Sequence, residues 1–83
     1  MQGTIIRLLP NNGYCFIRGE DNVSRFAHAR AFRNPLEFDR AREGQGVEFD
    51  AVQDTGPTAK SGGLRAINIV LLPGGYAVIK LPI

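Results

Sequence analysis

The chain has 83 residues, 43% of them hydrophobic and 22% charged, which fits one small domain and leaves no room for a second independently folding unit. Its one cysteine, Cys15, excludes an intrachain disulfide framework and a Cys-rich zinc site, and favours a reducing, cytoplasmic setting. Met1-Gln2-Gly3 lacks a signal-peptide pattern and no apolar run has spanning length, so neither a membrane protein nor a secreted one is expected.

The formal net charge of +2 conceals a segregated pattern. Residues 1–33 sum to +3, residues 34–54 to −4 and residues 55–83 to +3. Eight of the ten cations are Arg, whose planar guanidinium forks onto phosphate and stacks on bases where Lys offers a point charge. A solvated mixed-charge surface has the same composition, so charge alone decides nothing.

Ten Gly and five Pro punctuate short β-rich runs, the pattern of an all-β domain. Thr4–Leu9 is the first run. It ends at Pro10-Asn11-Asn12-Gly13, where Asn and Gly tolerate the positive φ of a tight hairpin. Tyr14–Arg18 returns antiparallel, with Tyr14, Phe16 and Arg18 on one face and Cys15 and Ile17 on the other. Gly19-Glu20-Asp21-Asn22 turns into a third run, Val23–Ala29, where Phe26 and His28 share a face. Arg30–Gln45 loses the period of 2, and Pro35 with its charged neighbours suits a loop with one or two helical turns. Gly46–Gln53 alternates strictly, with Val47, Phe49 and Ala51 on one side and Glu48, Asp50 and Val52 on the other. After a polar loop, Asp54–Gly63, a fifth run spans Leu64–Leu72 and sets Leu64, Ala66, Asn68 and Val70 opposite Arg65, Ile67, Ile69 and Leu71. Pro73-Gly74-Gly75 is expected to turn the chain into an apolar segment, Tyr76–Ile83, that reads as an extra strand. The chain therefore divides into residues 1–72 and an extension, residues 73–83, which packs on its own barrel or pairs with a second copy as a homodimer.

Tyr14 and Phe16 on one strand, with Phe26 and His28 on the next, form a four-ring patch if the strands pair. Rings on a solvent-facing sheet call for a cover, and bases are natural covers because each has a π-face. Arg7 and Arg18 on neighbouring strands stand ready for phosphates. The competing reading, that all four rings are core, conflicts with the alternation, since Cys15, Ile17 and Ala27 already supply an inward face. A lone His28 has neither the ligand set of a metal site nor the nucleophile and acid of a triad. Cys15 reads as a small core residue. Asn22-Val23-Ser24 matches a glycosylation acceptor and Gly44-Gln45-Gly46 lacks the strand and helix of a phosphate loop; both are set aside.

These residues resemble a known family. Gly13-Tyr14-Cys15-Phe16-Ile17 is similar to the first ribonucleoprotein motif of cold-shock domains, K-G-F-G-F-I, and Arg25-Phe26-Ala27-His28 to their second, V-F-V-H. Gly3-Thr4-Ile5-Ile6, the segment Glu43–Phe49, and the spacing of Gly63, Ala66 and Ile69 fall in the family's order. The likeness covers about residues 2–72. It implies a five-stranded antiparallel OB-type β-barrel that binds single-stranded RNA or DNA across strands two and three with low sequence specificity, as an RNA chaperone or a modulator of transcription or translation. The residues expected to meet nucleic acid are Arg7, Tyr14, Phe16, Arg18, Phe26, His28, Arg30 and Phe38. Phe32 and Phe38 are open to two readings, rings at the rim of the face or caps on the barrel. Phe32 reads as a cap, whereas the charged neighbours of Phe38 suggest exposure.

The chain departs from the family at several points. Arg7-Leu8 stands where the family commonly has Trp-Phe, Asn12 replaces a Lys, Cys15 a Gly, and Ala29 an aromatic. Arg25 replaces an inward apolar residue, which suggests a shifted edge or a bulge in the third strand. These changes imply a weaker, more Arg-dependent binder. The alternative is an OB-type protein-interaction or oligomerisation module with a degenerate nucleic-acid face. No carboxylate pair, triad or metal cluster supports an enzyme, and no cofactor is implied.

Overall fold

The computed structural model describes residues 1–53 and 63–76, the last four by their backbone. Five strands, β1 (Gln2–Leu9), β2 (Tyr14–Gly19), β3 (Ser24–His28), β4 (Gln45–Gln53) and β5 (Leu64–Tyr76), close into a barrel in the order β1-β2-β3-β5-β4. The protein is thus an all-β barrel of OB type. Its pairings are antiparallel except where β3 meets β5 in parallel, with Phe26 opposite Arg65.

The β1–β2 connection is a 3-10 turn, Pro10–Asn12, that ends on Gly13 at φ 77°. The Gly13 N–H donates to Leu9 O at 3.1 Å and Pro10 O at 3.2 Å. A Cβ at Gly13 would meet nothing within 4 Å, so glycine is needed here for its backbone angle and not for room. β2 then alternates as the sequence indicates, with Cys15 and Ile17 fully buried and Tyr14 and Phe16 outside and half-buried.

Of the three register shifts among the described strands, two decide which way nearby side chains face. The β1–β2 register slips between Ile5 and Arg7, so Ile5 points into the barrel while Ile6 and Arg7 both face out and Leu8 packs back on the core. The β4–β5 register slips between Glu48 and Asp50, which pair with Val70 and Ile67. The additional residue on β5 is Asn68, at φ 53°, a left-handed conformation that Asn tolerates better than branched residues do. Its side chain donates to Asp50 Oδ2 at 2.8 Å. Uninterrupted alternation would put Ile67 and Ile69 on one face. Because of the bulge, Ala66 and Ile69 are the inward residues, and Ile67 stays partly exposed. Such bulges let short strands bend around a small barrel.

The core inside the barrel is Ile5, Cys15, Ile17, Ala27, Val47, Phe49, Ala66 and Ile69, closed at one end by Phe32, Phe38 and Ala41. Ala51, which alternation puts on the same side as Val47 and Phe49, is exposed while they are buried. β1 pairs with β4 only across Gly46–Glu48, so the β4–β5 ribbon runs on past the third strand that would have covered Ala51. The long connection forms a 3-10 turn, Ala29–Ala31, and one helix, α1 (Pro35–Arg40). Pro35 sits at the start of α1 and Asn34 Oδ1 accepts the Leu36 N–H at 3.1 Å, a proline and a cap suited to that end.

β5 runs through Pro73-Gly74-Gly75 to Tyr76 instead of ending in a turn, but its register with β4 slips across them, from Val47–Leu71 to Gln45–Tyr76. The proposed extra strand beyond Tyr76, and any dimer contact through it, lie outside the described residues, as does most of the Asp54–Gly63 loop.

Candidate nucleic-acid interface

The β2–β3 register is continuous from Tyr14–His28 to Arg18–Ser24, so the expected shift or bulge at Arg25 is corrected: Arg25 pairs with Ile17 and points into the end of the barrel at 7% exposure. Its guanidinium grips Asp21 with two bonds, Nη2 to Oδ2 at 2.6 Å and Nη1 to Oδ1 at 3.0 Å. It also lies 5.6 Å from the centroid of the Phe49 ring, within cation–π range. The hydrogen bonds from Arg25 hold the Asp21 carboxyl down to about 2. Met1 and Phe49 exchange backbone hydrogen bonds over the same end, both 2.8 Å. A charge that belongs to the basic N-terminal segment is therefore spent internally, and Arg25 is no part of the outer face.

That face carries Tyr14, Phe16 and Phe26 in mutual contact. Ring centroids are 5.1 Å apart for Tyr14–Phe26, 5.9 Å for Tyr14–Phe16 and 6.0 Å for Phe16–Phe26. The last two pairs are edge-to-face, an arrangement favoured by the ring quadrupoles. Phe26 is covered by its neighbours to 8% exposure, so Tyr14 and Phe16 present most of the cluster's accessible ring surface. Rings locked this way have already lost their rotamer freedom on folding, which lowers the cost of stacking on them.

The cross-strand register extends the cluster sideways. Arg7 is opposite Phe16, Phe16 opposite Phe26, and Phe26 opposite Arg65, so one row across four strands reads cation, ring, ring, cation. The bulge at Ile6 sets this phase for Arg7. Arg18 stands exposed one pleat along the same face of β2 as Phe16. His28 is exposed as the cross-strand partner of Tyr14. Its Nδ1 accepts the Arg30 N–H at 3.0 Å, so a neutral ring carries its proton on Nε2, turned away from the chain. That bond also begins the 3-10 turn that displays Arg30.

Phe38 does not join the face. It is 7% exposed and meets Phe32 edge-to-face at 5.5 Å, so the expectation of a rim-exposed ring at Phe38 is corrected. α1 places it on the inward side, leaving Glu37 beside β5, where Glu37 Oε1 accepts the Leu71 N–H at 3.2 Å, and leaving Asp39 and Arg40 in solvent. Asp39 and Arg40 form the outer face of one helical turn while Glu37 bonds to β5, so these charges carry no information about the ring between them.

Beside Phe26 the barrel surface opens into a groove of about 550 Å³ lined by His28, Arg30, Arg33, Arg65 and Asn68 among others. Arg33, Arg65 and Asn68 were not site candidates in the sequence. Only the β3–β5 closure brings them beside Phe26, and a long-range parallel contact leaves no local pattern. On the inner side, burial pushes the Cys15 thiol up to about 12, so it stays protonated and unreactive.

Among the described residues, no three His, Cys, Asp or Glu side chains gather as metal ligands, and no helix is long and apolar enough to cross a membrane. In comparisons with known proteins, no family model and no curated protein matches the chain. The barrel and its outward cluster of Tyr14, Phe16 and Phe26 are compatible with an OB-type nucleic-acid-binding face.

Proposed function

We propose that this protein binds single-stranded RNA or DNA on the outer face of β2 and β3, with low sequence specificity and without catalysis. The observation that carries the reading is the Arg7–Phe16–Phe26–Arg65 row, which flanks rings for bases with charge for phosphates. Stacking tolerates any base, because every base has a π-face, and phosphate contacts carry no sequence information. Such a protein keeps strands unpaired, as an RNA chaperone does, or modulates transcription or translation by occupying transcripts. Arg7 in place of an aromatic trades a stacking ring for a guanidinium that both stacks and neutralises charge.

The test is binding of short single-stranded RNA and DNA to the wild type and to Phe16→Ala across a salt series. Phe16→Ala is expected to lose roughly 1–3 kcal/mol of binding, and wild-type affinity to fall as salt rises because neutralised phosphates release counterions. Tight self-association without salt-sensitive binding would replace this reading with that of a protein-interaction module.

A further inference from the structure

We infer that the groove between β3 and β5 is a subsite that holds a phosphodiester of the bound strand through Arg30, Arg33 and Arg65. The inference rests on the single-strand reading above and extends it to a part of the surface outside the aromatic face.

The groove exists because two elements part and rejoin. β3 touches β5 at Phe26–Arg65, and the chain next returns to β5 at the Phe32–Ile69 bridge, where the Arg33 N–H donates to Ile69 O at 3.0 Å. Between these contacts one side makes the 3-10 turn Ala29–Ala31 and the other makes the Asn68 bulge. The wall therefore opens outward on both sides. The resulting space of about 550 Å³ is in the range of small-ligand sites.

Its lining decides the ligand. Arg30, Arg33 and Arg65 contribute three guanidinium groups and His28 a ring, and among the described residues no Asp or Glu lines it. Asp50, the acid bound to Asn68, lies with Glu48 in an adjoining hollow that shares Arg33 and Asn68 with the groove. A concave surface with one sign of charge focuses its field on an anion, and guanidinium forks suit the oxygens of a phosphate. The position decides the source of that phosphate. Phe26 belongs both to the ring cluster and to the groove lining, so a strand stacked on Tyr14 and Phe16 and running on past Phe26 enters the groove with its next backbone unit. Arg65 contributes by position, whatever other contact it makes.

The experiment compares oligothymidylates of about four and about eight nucleotides, within the site size of an OB fold, on the full chain and on Arg33→Gln, Arg65→Gln and Phe16→Ala. The wild type is expected to bind the longer strand more tightly. Each Arg→Gln variant should lose most of that gain, about tenfold in affinity, and its slope of log affinity against log salt should shrink by about 0.7 for a lost phosphate contact. Amide chemical shifts of Ala31 and Asn68 should move in the wild type on adding the longer strand, a readout that needs no variant. Wild-type affinity and salt slope in both Arg variants, with Ala31 and Asn68 unmoved while Phe16→Ala still weakens binding, would overturn the subsite and leave the aromatic face standing. No binding by any strand, and no effect of Phe16→Ala, would overturn both.

Discussion

Phe26 and Arg65 stand opposite each other across the parallel β3–β5 contact. The contact closes the barrel, and it also sets a cation from the last strand against a ring from the third. Without it the aromatic cluster would end at Phe26. With it the cluster is flanked by Arg7 on one side and Arg65 on the other, and the groove begins where the cluster stops.

Phe38→Ala separates the barrel cap from the binding face. A buried Phe→Ala change costs about 3–5 kcal/mol, a large share of the total stability of a domain this small. The variant should show a much lower denaturant midpoint, yet bind a single strand with wild-type affinity when kept cold enough to stay folded. Phe16→Ala, at a half-buried ring on the outer face, should show the opposite balance.

The Asp21–Arg25 pair makes stability depend on acid. Asp21 in the folded chain sits at about 2, below its ordinary 3.8. Its contribution is therefore complete above about pH 4 and lost as pH falls through about 2. Asp21→Asn should be less stable than the wild type near neutral pH, and the difference should narrow over that acid window. Urea titrations at several pH values would read it, and a difference independent of pH would refute the assignment.

Cys15, with its thiol pushed up to about 12 by burial, should resist alkylation at pH 8 in the folded protein and react readily in denaturant. Its modification rate under native conditions should follow the population of opened protein, so a destabilising variant such as Phe38→Ala should be alkylated faster.

Gly3→Ala tests a close approach in the barrel. A Cβ there would lie 2.5 Å from the Arg18 carbonyl oxygen and 2.9 Å from Phe49 Cε1, and neither a paired backbone nor a core ring can yield freely. Overpacking of this kind costs about 1–3 kcal/mol, read as a lowered midpoint in thermal or urea unfolding, with the outer face intact.

Much of the barrel is legible in the chain because a strand's side chains alternate whatever it pairs with. That rule places Tyr14, Phe16 and Arg18 outside and Cys15 and Ile17 inside, and the Asn-Gly turn after Leu9 sends β2 back along β1. The failures share one cause. Ile67, Ala51 and the supposed slip at Arg25 all depend on which residue of a distant strand lies alongside, and Phe38 depends on which side of a six-residue helix meets the barrel's open end.

The sequence alone determined the two-sided β2–β3 ribbon, the single inward thiol and the concentration of arginine, since these follow from local alternation and composition. Tertiary structure decided that Arg25 is internal and Phe38 a cap, that Arg7 lines up with Phe16, and that Arg65 reaches Phe26. Each of these is set by a bulge, a cap or a closure that exists only when strands far apart in the chain pair, and that pairing energy has no local signature.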